Sequence, residues 1–168
     1  KSVKVLCPTT YLGTIFFKNK TIIRFTLSFD VIAHHRNHIE LYGDKGSMLV
    51  PDPNMFGGSV YICKKLGGSW KEYKTNKMHL GKINIRQKSL RANESPINAN
   101  YRGVGLAEMA YCIQNKKKHR CNGELSLHVL DIIESIMIAA KKRKRINIKS
   151  TCNIPKTFSS TDIRKILK

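Results

Sequence analysis

The stretch from residue 40 to residue 58, ELYGDKGSMLVPDPNMFGG, specifies its backbone more tightly than any other part of the sequence. Gly43 and Gly46 bracket an Asp-Lys pair, which is typical of a tight hairpin whose backbone needs glycine at positive φ. A short apolar run, residues 48–50, follows this turn. Pro51 and Pro53 then end it, because proline cannot donate to a strand ladder. We therefore predict two antiparallel strands here, over 37–42 and 47–50.

We call the stretch from residue 40 to residue 58 the corner. More strands are predicted on both sides of it. Residues 10–17 and 21–31 are rich in β-branched and aromatic side chains and flank a Lys-Asn-Lys turn, which favours a β-hairpin. Residues 59–63 and 69–74 suggest a further pair of strands. Residues 75–100 are polar and show no period, so we expect a long connection there.

The hydrophobic period changes to a helical one in the second half of the chain. Residues 101–114 and 123–140 are predicted helices, and the second is apolar on more than one side. We expect a closing strand at 146–148 and a short basic helix at the C-terminus, capped by Ser160.

This order of elements defines the expected fold class. Strands followed by helices, rather than alternating with them, predict an α+β fold: a predominantly antiparallel sheet with helices packed on one face and the other face open. The length of 168 residues favours one domain, residues 1–151, followed by a basic C-terminal tail, residues 152–168. An open face that includes Ile22, Tyr42 and Trp70 would suit a contact between subunits.

The formal net charge of +20 first suggests a polyanionic partner such as nucleic acid. However, lysine outnumbers arginine 22 to 9, whereas surfaces that recognise phosphate usually favour arginine forks. The basic runs at 116–120 and 141–145 follow the predicted helices, where cations complement the helix dipole. Nucleic-acid binding is therefore the weaker hypothesis.

Cysteines and apolar segments indicate the compartment. The five cysteines are scattered and include no CxxC pair, which argues against a disulfide framework or a zinc site. The sequence has no apolar run long enough for a membrane span and no secretory leader, so we expect a cytoplasmic location and no membrane partner.

The cluster FDVIAHHRNH contains the candidate site residues. If the segment were a strand, His34 and His38 would share a face but lie about 13 Å apart, too far to chelate one metal ion. No metal site is expected. Two interpretations remain, a polar face that contacts substrate hydroxyls through His34 and His35, or a solvated strand end. GVGLAE, at 103–108, opens a helix with G-x-G but follows no predicted strand, so it is not a dinucleotide fingerprint.

Three motifs, in order and spacing, carry a resemblance to a known family. SFDVIAHH with the corner from residue 40, then NYRGVGLAEMAYCI, then KHRCNGELSLHVLDIIESI together resemble the C-terminal domain of the Gfo/Idh/MocA oxidoreductases, the glucose-fructose oxidoreductase and inositol dehydrogenase group. The similarity runs from about Cys7 to Ser150. In that family this domain follows a Rossmann domain, walls the sugar or cyclitol pocket and joins subunits.

The resemblance implies a function that this chain would perform only in part. It implies a substrate-binding and oligomerisation domain of an NAD(P)-dependent oxidoreductase acting on a sugar, polyol or cyclitol. The family's catalytic lysine lies in the Rossmann domain, and its Asp-x-x-x-His dyad lies earlier than Lys1, so neither has a match here. Asp30 and His34 share the spacing of the dyad but not its setting. No catalytic or cofactor-binding residue is therefore assigned, and His34 and His35 are carried over only as substrate contacts.

Partners and cofactor follow from the same resemblance. The complete family enzyme would use NAD or NADP, whereas this chain alone, without a nucleotide fold, is expected to bind neither and to be inactive. It would need a separate or upstream Rossmann domain and would form a homo-oligomer through the open sheet face. The missing front half, together with the departure from the family's usual acidic or near-neutral charge, suggests a truncated or split gene product. The alternative is a non-enzymatic basic nucleic-acid-binding module or a remnant domain.

Overall fold

The structure is a computed structural model, and it describes residues 4–54, 56–86 and 97–167. Its elements in chain order are β1 (Thr10–Phe16), β2 (Ile22–Ser28), β3 (Ile39–Gly43), β4 (Gly46–Val50), β5 (Ser59–Cys63), β6 (Lys71–Lys74), β7 (Ile85–Arg86), β8 (Ile97–Asn98), α1 (Val104–Gln114), α2 (Gly123–Lys142) and α3 (Ser160–Ile166). All pairings between these strands are antiparallel, in sheets ordered β1-β2, β3-β4-β5-β6 and β7-β8. The predicted α+β class is confirmed.

The chain forms two compact units. The first, called the hairpin unit, comprises Lys1–His35 and His128–Ser150. The second, called the sheet unit, comprises Arg36–Leu127 and Thr151–Lys168. The residues predicted as a separate C-terminal tail, 152–168, cluster with the sheet unit and contain α3, which packs on α1.

In the hairpin unit, β1 and β2 pair from Thr10 opposite Ser28 to Phe16 opposite Ile22. The ring of Phe25 lies over Gly13, its cross-strand partner, and a Cβ atom on Gly13 would come within 2.5 Å of that ring. Glycine at position 13 therefore leaves the space that the Phe25 ring occupies. The two-stranded sheet is separate from the four-stranded one, so the prediction that Ile22 shares an open face with Tyr42 is wrong.

The segment after α2 turns back along the helix. Arg143 has φ 50° and the Lys144 N–H donates to the Ala139 carbonyl at 3.3 Å, which is the pattern of a Schellman end. The predicted strand at 146–148 is not formed. The physical reason lies next to it: the Asp131 carboxylate accepts the backbone N–H groups of Lys149 and Ser150, at 3.1 and 2.8 Å, so a side chain holds the segment.

The four-stranded sheet of the sheet unit contains the predicted corner. Gly43 pairs with Gly46 around Asp44 and Lys45, as the sequence predicted. Gly46 has φ 142°, and a Cβ atom there would lie 2.5 Å from the Cys63 carbonyl oxygen of β5. The glycine is thus required by the close approach of two strands as well as by the turn.

The register of this sheet separates its side chains into two faces. The face that we call apolar carries Ile39, Leu41, Met48, Val50, Val60, Ile62 and Tyr73, together with Lys71 at its edge. The face that we call polar carries Glu40, Tyr42, Ser47, Leu49, Ser59, Tyr61, Cys63, Glu72 and Lys74.

Two details of the second half of the sheet unit differ from the predictions. The N-cap of α3 is Ser159, not Ser160, and it forms a reciprocal capping box with Asp162. The connection predicted over 75–100 is not wholly irregular, because β7 pairs with β8 and Phe56 bridges Ala99. Two-residue strands are too short to give a periodic sequence signal, and residues 87–96 of this prediction lie outside the described residues.

Candidate functional site

His34 and His35 lie in the irregular segment between β2 and β3, and both are exposed. The strand assumed for this segment is not formed, so the spacing argument against a metal site does not apply as stated. Among the described residues, no group of three His, Cys, Asp or Glu side chains is placed to hold a metal ion. Asp30, the residue with the family-like spacing to His34, accepts hydrogen bonds from the hydroxyls of Thr9 and Thr10.

A cluster of polar groups at the start of the four-stranded sheet was missed by the sequence reasoning. The Glu40 carboxylate accepts hydrogen bonds from the Asn37 amide, at 2.9 Å, and from the Tyr42 hydroxyl. These bonds, first the one from Asn37, lower the pKa of Glu40, while the bond to Glu40 raises the pKa of Tyr42. A carboxylate and a phenol on an exposed strand, with an amide just before it, can bind the hydroxyl groups of a polyol. The E-x-Y spacing, which puts both side chains on one strand face, was the available signal.

His38 belongs to the same unit as this cluster. Its Nε2 lies 3.8 Å from a carboxylate oxygen of Asp52, in the Pro-Asp-Pro-Asn part of the corner. The Asp52 carboxylate also accepts the Asn54 N–H at 2.9 Å. Asp52 therefore fixes the turn after β4 and lies beside the histidine segment at the same time.

The corner is joined to the second family-like motif by direct contacts. The Arg102 guanidinium donates to the Asn54 side-chain oxygen and to the Asn54 carbonyl, at 3.2 and 3.0 Å. Beside it, the rings of Phe56 and Tyr101 meet edge to face with centroids 5.8 Å apart. A planar arginine fork and an aromatic pair thus connect residues that lie almost fifty positions apart in the sequence.

The second motif is joined to the third by Arg120. Its guanidinium donates to Glu108, a residue only 3% exposed, and to Asp162 at 3.0 Å. Its Nε donates to the Lys156 carbonyl at 2.6 Å. Its guanidinium carbon lies 4.0 Å from the centroid of the Phe158 ring. The pKa of Asp162 is lowered, first by the capping bonds of Ser159 and then by Arg120. Arg120 therefore holds α1, the third motif and the C-terminal segment together.

The third motif also holds the segment that follows α2 in the hairpin unit. Ser150 Oγ donates to Asp131 at 2.7 Å and lies 2.8 Å from His128 Nδ1. Bonds from Ser150, first from its backbone N–H and then from its hydroxyl, lower the pKa of Asp131. The hydroxyl stands between the two side chains, whereas a nucleophile activated by a His–Asp pair needs the histidine in the middle. This cluster is a structural connection and not a hydrolytic triad.

Several members of the basic runs have structural roles. Lys118 pairs with Glu124 at 2.6 Å, Lys117 lies over the Tyr111 ring, and Arg120 is committed as described. In the hairpin unit, Arg145 lies over the ring of Phe16, with its guanidinium carbon 5.3 Å from the centroid. Of the predicted contacts with helix ends, the structure places Lys141 and Lys142 in the last turn of α2, whereas the last turn of α1 holds no basic residue.

The chain was compared with models of known protein families, with curated proteins and with solved structures, and nothing matched in any of the three comparisons. In the described part of the chain, none of the helices has both the length and the apolar character needed to cross a membrane.

Proposed function

We propose that this chain is a substrate-binding and oligomerisation domain of an NAD(P)-dependent oxidoreductase that acts on a sugar, polyol or cyclitol. The observation that carries the proposal is the network described above. The three sequence motifs that resemble the Gfo/Idh/MocA C-terminal domain contact one another through Asn54–Arg102 and Glu108–Arg120. These contacts support the proposal, because motifs that hold one another in place in the fold would be expected to occur together in the sequence.

The chain's own part in the chemistry would be to bind and orient the substrate. In the hairpin unit, His34 and His35 are exposed and would donate to or accept from substrate hydroxyls. In the sheet unit, Glu40 and Tyr42 offer the same chemistry. The hydride chemistry itself belongs to the nicotinamide, which a Rossmann domain would hold. We propose a cytoplasmic location for the complex of this chain with that domain.

Calorimetric titration of the 168-residue chain with glucose, sorbitol and myo-inositol tests this proposal. We expect binding of at least one of them, and a loss of about tenfold in affinity in His34→Ala/His35→Ala, as removal of one or two hydrogen bonds would produce. His79→Ala, a matched histidine change elsewhere, should leave affinity unchanged. Binding of none of the three, or equal losses in both variants, would contradict the proposal. NAD(P) should not bind to the chain alone at micromolar concentration.

Self-association is the second part of the proposal. The polar face also exposes Tyr61, at 39%, and Trp70, just before β6, is 45% exposed, so aromatic area other than Tyr42 is available for a second copy. Two copies carrying +20 each repel one another, and salt screens that repulsion. Sedimentation should therefore show a dimer that strengthens with added salt. A monomer at low and high salt, at tens of micromolar protein, would contradict it, and a nucleic-acid contact would weaken with salt instead.

A further inference from the structure

A cavity of about 460 Å³ lies beside the loop that joins β5 to β6, and its volume falls within the range of small-molecule sites. Three lysines are among the residues that line it, Lys64, Lys65 and Lys71, and its lining includes no acidic residue. None of the three takes part in an ion pair among the described residues, in contrast to Lys118. We propose that this cavity binds the phosphate group of a small phosphorylated molecule.

The sheet register explains why the cavity has one sign of charge. Lys71 pairs with Ile62 and points to the apolar face, whereas its neighbour Glu72 pairs with Tyr61 and points to the polar face. There the Glu72 carboxylate accepts the Ser59 hydroxyl at 2.6 Å. The acid nearest to the lysines in sequence is thus on the other side of the sheet. Three lysines along one cavity with no acid among them leave an excess of positive charge there, which a bound dianion would neutralise.

Hydrogen bonds within the loop fix the backbone at Lys65. The Cys63 thiol donates to the carbonyls of Lys65 and Gly68, at 3.2 and 3.3 Å, and the Gly68 N–H donates to the Lys65 carbonyl at 3.0 Å. Gly67, with φ 66°, lies in the turn that the bond from Gly68 to Lys65 closes. A loop backbone fixed in this way has little left to order on binding, so the ordering cost falls mainly on the lysine side chains.

The floor of the cavity suits the organic part of such a ligand. Ile62 and Tyr73 supply an apolar surface, with Lys71 Nζ 5.3 Å from the Tyr73 ring centroid, and Ser69 adds a hydroxyl. The second cavity, of about 150 Å³ beside Arg120, is smaller, and its lining includes the Glu108 and Asp162 carboxylates that already neutralise Arg120. Of these two cavities, the one beside the β5–β6 loop is thus the better suited to an anion, and the proposal is independent of the proposed oxidoreductase role.

Titration calorimetry of the whole chain with inorganic phosphate, glucose 6-phosphate and glucose tests this site. Both phosphate compounds should bind, and glucose more weakly than glucose 6-phosphate. Lys71→Gln should weaken glucose 6-phosphate about tenfold, because a charge-assisted contact is lost. Lys74→Gln removes the same charge from the same strand but from the polar face, and it should change the affinity less than twofold. Lys64→Gln with Lys65→Gln gives a second variant in the loop, with an expected loss at least as large.

Equal losses in Lys71→Gln and Lys74→Gln would overturn the proposal, since they would mean a diffuse charge effect. Equal affinity for glucose and glucose 6-phosphate would also overturn it. A third result would overturn the proposal: a single-stranded oligonucleotide displaces glucose 6-phosphate, and its affinity falls equally in all lysine variants. The surface would then be a nucleic-acid contact.

Discussion

Replacing Arg120 by methionine tests the framework of the sheet unit most sharply. Methionine keeps an apolar stem over the Phe158 ring but removes the guanidinium that pairs with Glu108 and Asp162. The Glu108 side chain, 5% exposed, then loses its partner.

The expected cost follows from that burial. Removing one member of a buried ion pair costs roughly 3–5 kcal/mol, because the remaining charge is left uncompensated in a poorly solvated place. The Arg120 side chain is 24% exposed, so water reaches part of the pair and the lower end applies, about 3 kcal/mol. Lys118→Met is the matched control, because Lys118 and Glu124 are 57% and 61% exposed and their pair is worth about 0.5 kcal/mol or less.

Urea unfolding followed by fluorescence provides the assay, since Trp70 is the only tryptophan and lies in the same unit. With a slope of about 2 kcal/mol per molar urea, Arg120→Met should lower the midpoint by about 1.5 M and Lys118→Met by about 0.25 M or less. Glu108→Gln in the Arg120→Met background should recover about 1 kcal/mol or more, because the uncompensated charge is gone. Equal midpoint shifts for the two single variants would refute the reasoning.

The remaining predictions concern the turns and α2. The pKa of Asp131 is lowered in the folded chain, so its contribution to stability is present above about pH 4 and is lost as pH falls below that value. The difference in urea midpoint between the wild type and Asp131→Asn should therefore shrink on acidification. A difference that widens contradicts this. Arg143→Gly should raise stability by about 0.5–1 kcal/mol, because glycine adopts φ 50° without strain, and a loss in thermal unfolding would count against it. Gly46→Ala should cost about 1–3 kcal/mol in urea unfolding, because the added Cβ meets the Cys63 carbonyl. Gly43→Ala should cost under about 1 kcal/mol, because its Cβ has room. Similar costs for the two variants would refute the close approach of the strands at Gly46.

Local signals made much of the fold predictable. Strands β1 to β6 and helices α1 and α2 lie within a few residues of their predicted positions, because alternation, turn residues and helical period are properties of short windows. The hairpin at Gly43 and Gly46 is the clearest case, since two glycines around two polar residues leave few alternatives.

The features that were missed depend on partners distant in sequence. The closing strand at 146–148 is replaced by a segment that Asp131 holds, and no local pattern identifies that carboxylate as the acceptor. The assignment of β1–β2 to its own sheet also depends on tertiary contacts. At the candidate site, His34 and His35 were chosen by resemblance, whereas the Glu40–Tyr42 pair was visible only as an i, i+2 spacing whose meaning depends on the strand register.

The most direct test of the proposed function locates the bound ligand. The six histidines can be followed individually by their ring C–H signals in NMR spectra, assigned by single His→Gln variants. Addition of the polyol or sugar that binds most tightly should shift the His34 and His35 signals and leave those of His79 and His119 in place. Shifts confined to His79 and His119, or no shift at saturating ligand, would contradict a substrate-binding role for this chain.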